Sequence, residues 1–360
     1  MDHGSEPDAV SGVAREHERP AKLTMKAKRP TDSGSEPDTV SGVVREHERP
    51  AKRTGKAKRP MDHGRTRFVT GFLVVPVALY VVYVISPYAQ AFYIAFTNWR
   101  GVNANPQFVG LENFQRLLGD NVFWKAVSHN LLLLILMPVL TIGIALFFAF
   151  LLNSGGKGGT EGIWGSKFYR VVFFFPQVLA VAVVAVLFQQ VFRPDKSGMI
   201  NAPLIALGIE PIGFLSSTSV ALWAILGVLV WQAVGFYVVL FSAGISSIPR
   251  DMFEAAAIDG AGKVQLFFRV TLPLLWDTIQ VGWVYLGIAA LDVFAIVWVM
   301  TAEHGGPDYS TTVMAAEIYR NAFQYFKFGY ASAMGVVLFF FTIGFAALAL
   351  RLSRRERIEF

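Results

Sequence analysis

Cysteine is absent from the 360 residues, which excludes a disulfide scaffold and thiol chemistry. Charge is scarce: Asp, Glu, Lys and Arg make up 16% of the chain, where a soluble domain carries about 25%. The shortage is sharper away from the N-terminus. Residues 1–60 hold 13 of the 32 Lys and Arg and 10 of the 26 Asp and Glu, so the other 300 positions are about 12% charged. With 54% hydrophobic residues and 31 Phe, that body cannot cover itself with polar side chains in water. Catalytic signatures are missing too. There is no GxxxxGK[ST] phosphate loop (the glycines at 155–159 and 260–263 do not fit it), no HExxH, no GxSxG and no metal-spaced histidines. A P-loop ATPase, a zinc protease and a serine hydrolase are thereby excluded. A membrane glycosyltransferase would need an acidic pair near the interface and a sizeable catalytic loop, and neither is evident. The chain does not read as an enzyme.

Charge is densest in a duplicated tail. GSEPD occurs at 4–8 and 34–38, REHERPAK at 15–22 and 45–52, and KAKRP at 26–30 and 56–60; MDHG at 1–4 recurs at 61–64. The 30-residue unit is rich in Pro, Glu, Lys and Arg and has no apolar face to stack, so residues 1–64 read as a disordered extension rather than a solenoid. His17 and His47 sit between glutamates in that segment and do not read as metal ligands. The tail lacks an apolar core of the signal-peptide kind. The net charge of +6 comes from this tail and from basic loops, and does not point to nucleic acid.

Residues 65–360 contain six apolar stretches long enough to cross a bilayer as helices, at 68–92, 127–152, 171–192, 220–243, 278–300 and 330–350. Hence an all-α polytopic membrane protein is expected. Pro76, Pro138 and Pro176 lie inside or near the ends of spans, which a packed bundle tolerates. With the N-terminus cytoplasmic, the inside segments hold 12 Lys and Arg and the outside segments 7, before the tail is counted. That bias places both termini in the cytoplasm of a plasma-membrane protein.

The connection at 248–275, between the fourth and fifth spans, is unlike the others. Pro249 suits a first helical turn, and Asp251 and Glu254 favour its positive end. Ala255, Ala256 and Ala257 propagate a helix that Gly260 and Gly262 break, and 264–270 form a second short helix before Pro273. Small residues at the bend allow another surface to approach the backbone, with Met252, Phe253, Phe267 and Phe268 available for apolar contact. The competing reading is an interfacial helix lying on lipid.

This loop resembles the EAA motif of binding-protein-dependent ABC importer permeases, in its carbohydrate-uptake version. Glu254-Ala255-Ala256, Asp259-Gly260-Ala261, Gln265, Phe267 and Val270-Thr271-Leu272-Pro273 carry the likeness, with Val270 where Ile is usual. The resemblance implies that Glu254, Ala255, Ala256, Asp259, Gly260, Gln265, Leu272 and Pro273 form a coupling loop seated on an ATPase subunit. FTNWRG at 96–101, FVGLENF at 108–114 and YASAMG at 330–335 resemble the maltose-type first permease subunit, without the large inserted outer domain. DYSTT at 308–312 and the RRERIEF terminus are similar to N-acetylglucosamine/chitobiose importer permeases. One departure is visible, since the segment 301–307 is two residues longer than the family's TGGGP. The resemblance implies no cofactor in this chain, with ATP and Mg bound by the partner ATPase dimer. It implies as further partners a second homologous permease, an extracytoplasmic sugar-binding protein, a sugar and the bilayer.

Sugar recognition combines polar groups with aromatic faces. Candidates inside spans are Gln177, Gln189, Trp231, Gln232, Tyr237, Tyr285 and Asp292, with Gln190, Gln280, Trp283 and Trp298 behind them. Asp292 reads as a carboxylate deep in the fifth span, serving as an interhelical hydrogen bond, a substrate contact or a proton relay. An ion-coupled secondary sugar transporter is the alternative function; it calls for paired buried ionisable groups and an internal repeat of spans.

Overall fold

Residues 63–102, 105–153 and 164–352 are described by a computed structural model. The repeated tail lies outside them except for His63 and Gly64, which open the first helix. The C-terminal RRERIEF segment also lies outside.

Among the described residues, four helices are long and apolar enough to cross a bilayer unbroken: Phe68–Ala95, Asn121–Asn153, Ala221–Ser247 and Phe328–Arg351. The first comprises α1 (His63–Tyr80), a π-turn (Val81–Ile85) and α2 (Ser86–Ala95). Its side chains from Phe68 to Tyr83 are largely exposed, as suits an outer helix whose solvent is lipid. A short helix α3 (Glu112–Leu118) follows, tied back by Asn113, whose amide donates to the carbonyls of Ala95 and Thr97 at 2.8 and 2.9 Å.

The long helix α4 (Asn121–Asn153) starts where Asp120 accepts the N–H groups of Val122 and Phe123 at 2.9 and 3.1 Å, the usual carboxylate cap. It runs through Pro138 and packs along α8 (Ala221–Ser247), the central helix. In a bilayer such packing is driven by close fit rather than by transfer from water, so small residues sit where backbones meet. Gly235 of α8 shows why: a Cβ there would lie 1.7 Å from the carbonyl oxygen of Phe173.

The other two spans are bent, a finding that differs from the unbroken stretches expected at 171–192 and 278–300. The third consists of α5 (Ser166–Val178) and α6 (Val181–Val191), which meet at 97°. Leu179 and Ala180 between them are extended, at φ −70°, ψ 137° and φ −60°, ψ 135°. Pro176, two residues before the helix ends, is compatible with that stop. After a short α7 (Asn201–Ala206) and α8 come the elbow helices α9 (Arg250–Ile258) and α10 (Lys263–Leu266), a π-turn (Phe267–Thr271), and α11 (Leu272–Leu274). The segment Lys263–Leu274 meets α12 (Trp276–Leu291) at 70°. The helix then stops at Asp292 and restarts as α13 (Ala295–Met300), packed against α6. A short α14 (Met314–Tyr319) precedes the last span, α15 (Phe328–Leu352).

The main core lies between α4, α6, α8, α12 and α13, with Ile225, Val238, Phe241, Leu286 and Ile296 at its centre. A smaller one joins α2, α3, α14, α15 and the start of α4.

Candidate functional site

The elbow between α8 and α12 is shaped by local rules. Pro249 stands one position earlier than a first-turn proline, as the N-cap residue at φ −55°, ψ 137°. At the other end, Ala261 N–H reaches the carbonyl of Ala256 at 2.9 Å and Gly260 N–H that of Ala257 at 3.1 Å. With Gly260 at φ +75°, this is a Schellman stop: the chain reverses through a left-handed residue while spare carbonyls stay satisfied. The spacing from Ala256 to Gly260 is therefore the spacing of a helix end. Gln265 Oε1 accepts the N–H of Gly262 at 3.2 Å and caps the next helix.

Glu254, Ala255, Asp259, Gly260, Gln265 and Pro273 are exposed, while Ala256 and Leu272 are half-buried. Phe253, expected on the contact face, instead points inward and belongs to the main core at 6% exposure. Phe267 also turns inward, half-buried, its ring tilted 57° to that of Phe150 with centroids 4.9 Å apart. These two rings anchor the elbow to the bundle. The outward apolar side chains are Met252, Ile258, Val264 and Phe268, with Ile258 86% exposed.

The breaks in the third and fifth spans flank a cavity of about 360 Å³. Five of the seven candidate sugar contacts line it: Gln177 of α5, Gln232 and Tyr237 of α8, Tyr285 of α12, and Asp292 at the end of α12. Gln232 donates to the carbonyl of Leu179 at the bend, at 3.3 Å. The Tyr237 hydroxyl is buried without a hydrogen-bond partner among the described residues, whereas Tyr285 is 68% exposed. Asp292 is not deep in a continuous helix; it is the C-cap residue of α12, open to the cavity.

Gln189 and Trp231 lie elsewhere. The Gln189 amide donates to the carbonyl of Val299 at 2.6 Å, joining α6 to α13. Trp231 lines a separate apolar cavity with Phe175 and Gly235 and packs on Phe188 at 5.1 Å. Gln280 and Trp283 face a third, apolar cavity beside α15.

One polar centre was not foreseen. Glu317 and Arg320 form an ion pair with side chains only 4% and 6% exposed. Thr312 donates its hydroxyl to Glu317 at 2.6 Å, and Arg320 donates to the carbonyls of Glu303 and His304, each at 3.2 Å. Burial holds the Glu317 carboxyl above its ordinary range, against the opposing pull of the Thr312 hydrogen bond and the Arg320 charge. The pair ties down the long segment after α13, in which Glu303, His304, Asp308 and Tyr309 all have positive φ. His304 stacks on Trp298 with centroids 4.1 Å apart and planes 7° from parallel. The available sequence signal was the (i, i+3) Glu–Arg spacing.

Comparison with known proteins agrees with this architecture. The family described as binding-protein-dependent transport system inner membrane component matches residues 131–358. The diacetylchitobiose uptake system permease protein NgcF of Streptomyces coelicolor is 40% identical over 295 residues, covering 81% of this chain and 83% of that protein. The multiple sugar-binding transport system permease protein MsmF of Streptococcus mutans is 36% identical over 289 residues, covering 80% and 95%. Among solved structures, a bacterial ABC transporter involved in importing the acidic polysaccharide alginate superposes with a TM-score of 0.71 at 22% identity, covering 81% of this chain and 96% of that one. That match establishes the fold alone. The chain therefore belongs to the binding-protein-dependent transport system inner membrane components; it is a sugar ABC importer permease and not an enzyme.

Proposed function

We propose that this permease forms half of the translocation path of an ATP-driven importer for N-acetylglucosamine or chito-oligosaccharides. The other half comes from a second homologous permease, the energy from an ATPase dimer that binds ATP and Mg, and the cargo from an extracytoplasmic sugar-binding protein. The sugar class is taken from the 40% identical diacetylchitobiose permease, with support from the sequence likeness of residues 308–312. Both termini and the elbow face the cytoplasm in this reading, in keeping with the excess of Lys and Arg on that side.

The observation that carries the proposal is the elbow itself. It presents Glu254, Ala255, Asp259 and Gly260 outward while Phe253 and Phe267 root it in the bundle. It is also continuous with the cavity walls. The elbow begins where α8 ends and runs into α12, and those two helices with their terminal residue supply Gln232, Tyr237, Tyr285 and Asp292. A displacement of the elbow by closing ATPases is thereby passed to four cavity side chains at once. Because the elbow is stapled by the buried Phe253 ring and the half-buried Phe267 ring, it moves as a lever rather than as a loose strap. The ion-coupled alternative calls for ionisable pairs inside the spans, and the buried pair among the described residues, Glu317 with Arg320, lies between the fifth and sixth spans.

The test is co-purification of the ATPase with the membrane-inserted permease. Glu254→Lys, or Gly260→Leu, should release the ATPase without affecting insertion. Retention of the ATPase by both variants would overturn the docking role, as would uptake by this chain alone driven by a proton gradient and indifferent to ATP.

A further inference from the structure

The cavity between the broken spans carries one carboxyl side chain among its described lining residues, Asp292, and no Lys or Arg; the other polar groups are the amides of Gln177 and Gln232 and the phenols of Tyr237 and Tyr285. Asp292 stands at the C-terminal end of α12, its N–H bonded to the carbonyl of Ala289 at 3.1 Å. A helix C-terminus is already partly negative, so a carboxylate there is opposed by its own helix. Among the described residues no Lys or Arg forms an ion pair with it. A carboxylate at a helix's negative end with no cation paired to it marks a position kept for a ligand rather than for stability. The last carbonyls of the helix, those of Ala290 and Leu291, are satisfied by the Asn130 amide at 3.1 and 3.4 Å, whereas Asp292 opens onto the cavity.

Taking the transport reading above as its basis, we infer that Asp292 makes this chain's face of the path a charge filter, admitting neutral and amino sugars and rejecting uronates. The carboxylate accepts hydrogen bonds from sugar hydroxyls, from an acetamido N–H, or from an ammonium group. Against a uronate it places like charge beside like charge in a partly desolvated space, where repulsion is strong. The fold does not impose this choice, because the alginate importer shares it and takes an acidic polysaccharide.

The experiment uses the assembled complex of both permeases and the ATPases in lipid nanodiscs, without the binding protein, so that the selectivity of that protein does not enter. Binding is measured by equilibrium dialysis with N,N′-diacetylchitobiose, with its de-N-acetylated diamine, and with a disaccharide bearing one uronate. The wild-type complex should bind the first two about tenfold or more tightly than the uronate. Asp292→Asn should shrink that gap to about threefold or less, Asp292→Lys should reverse it, and Asp292→Glu should preserve it. Co-purification of the ATPase reports that each variant has assembled; if the lysine variant does not, the Asn and Glu pair decides. Variants that still bind diacetylchitobiose and discriminate against the uronate as the wild type does would overturn the filter while leaving the transport path standing. A wild-type complex that binds none of the three would overturn both.

Discussion

Gly260 and Gly262 stand two residues apart, and the structure assigns them different physical jobs. At both, an added Cβ would meet nothing within 4 Å, so neither is glycine for want of room inside this chain. Gly260 has φ +75°, a left-handed conformation that costs an L-residue about 1–2 kcal/mol. Gly262 has φ −71°, ψ 166°, which any residue adopts. Gly260→Ala should therefore raise the free energy of the bent elbow by about 1–2 kcal/mol. The alanine elbow relieves that strain by opening, and docking must then pull it back. The expected loss of ATPase affinity is about 5- to 30-fold. Gly262→Ala should change affinity by about twofold or less, and its smaller unfolded-state entropy is worth about 0.4–1 kcal/mol to the folded elbow. Titrating a fluorescently labelled ATPase into the purified permease pair measures both constants. Equal losses at the two positions would refute the backbone argument and point to crowding at the elbow tip instead. No loss at Gly260 would show that docking does not need the left-handed turn.

Arg320→Met should destabilise the permease by about 3–5 kcal/mol, because it leaves a buried carboxylate without its cation. The deficit should depend on pH in a definite direction. Glu317 is already held above its ordinary range by burial, and Arg320 pulls it down, so the variant raises it further. A raised folded-state pKa means that stability is greatest at low pH and declines as pH rises through the raised value. Thermal unfolding in detergent should thus show a larger gap from wild type at pH 8 than at pH 5, and a pH-independent gap would count against it. Phe253→Ala removes a ring that is 6% exposed and should cost about 3–5 kcal/mol; hydrogen exchange across 250–266 should quicken while the rest of α8 stays protected. Met252→Ala, on the exposed side of the same helix, should leave exchange unchanged and weaken ATPase binding, which separates anchoring from docking.

Six apolar runs, the position of the elbow and the residues at its bend could all be found by reading along the chain, because bilayer thickness and helix-end geometry act over short stretches. Even the role of Gly260 follows from its place after an alanine-rich helix. Two of the helix breaks could not be found in this way. The extended pair Leu179–Ala180 and the stop at Asp292 lie in sequence as apolar as any span around them, and what stabilises them is a neighbour: Gln232 bonding the carbonyl at one bend, Asn130 bonding the carbonyls at the other.

The same division holds for the side chains of the cavity. Composition and spacing identified the polar and aromatic residues within the spans, since each is costly in lipid and so needs a partner or a purpose. Which of them face one another depended on the bends, which swing Gln177 toward Tyr285 and Asp292 but leave Gln189 to join two helices and Trp231 to line an apolar groove. Glu317 and Arg320 show the limit most clearly. Their adjacency on a helix turn is local, but their burial is created by the segment 301–313 folding over them, a long-range event that no periodicity along the chain records. Thus the amino-acid order alone determined that this is a polytopic all-α membrane protein with an exposed, glycine-bent elbow, because those features rest on hydrophobicity and on backbone geometry within a few residues. Packing between distant helices decided where the spans break and which polar groups share a cavity, because a broken helix survives in a membrane only where another element satisfies its freed carbonyls.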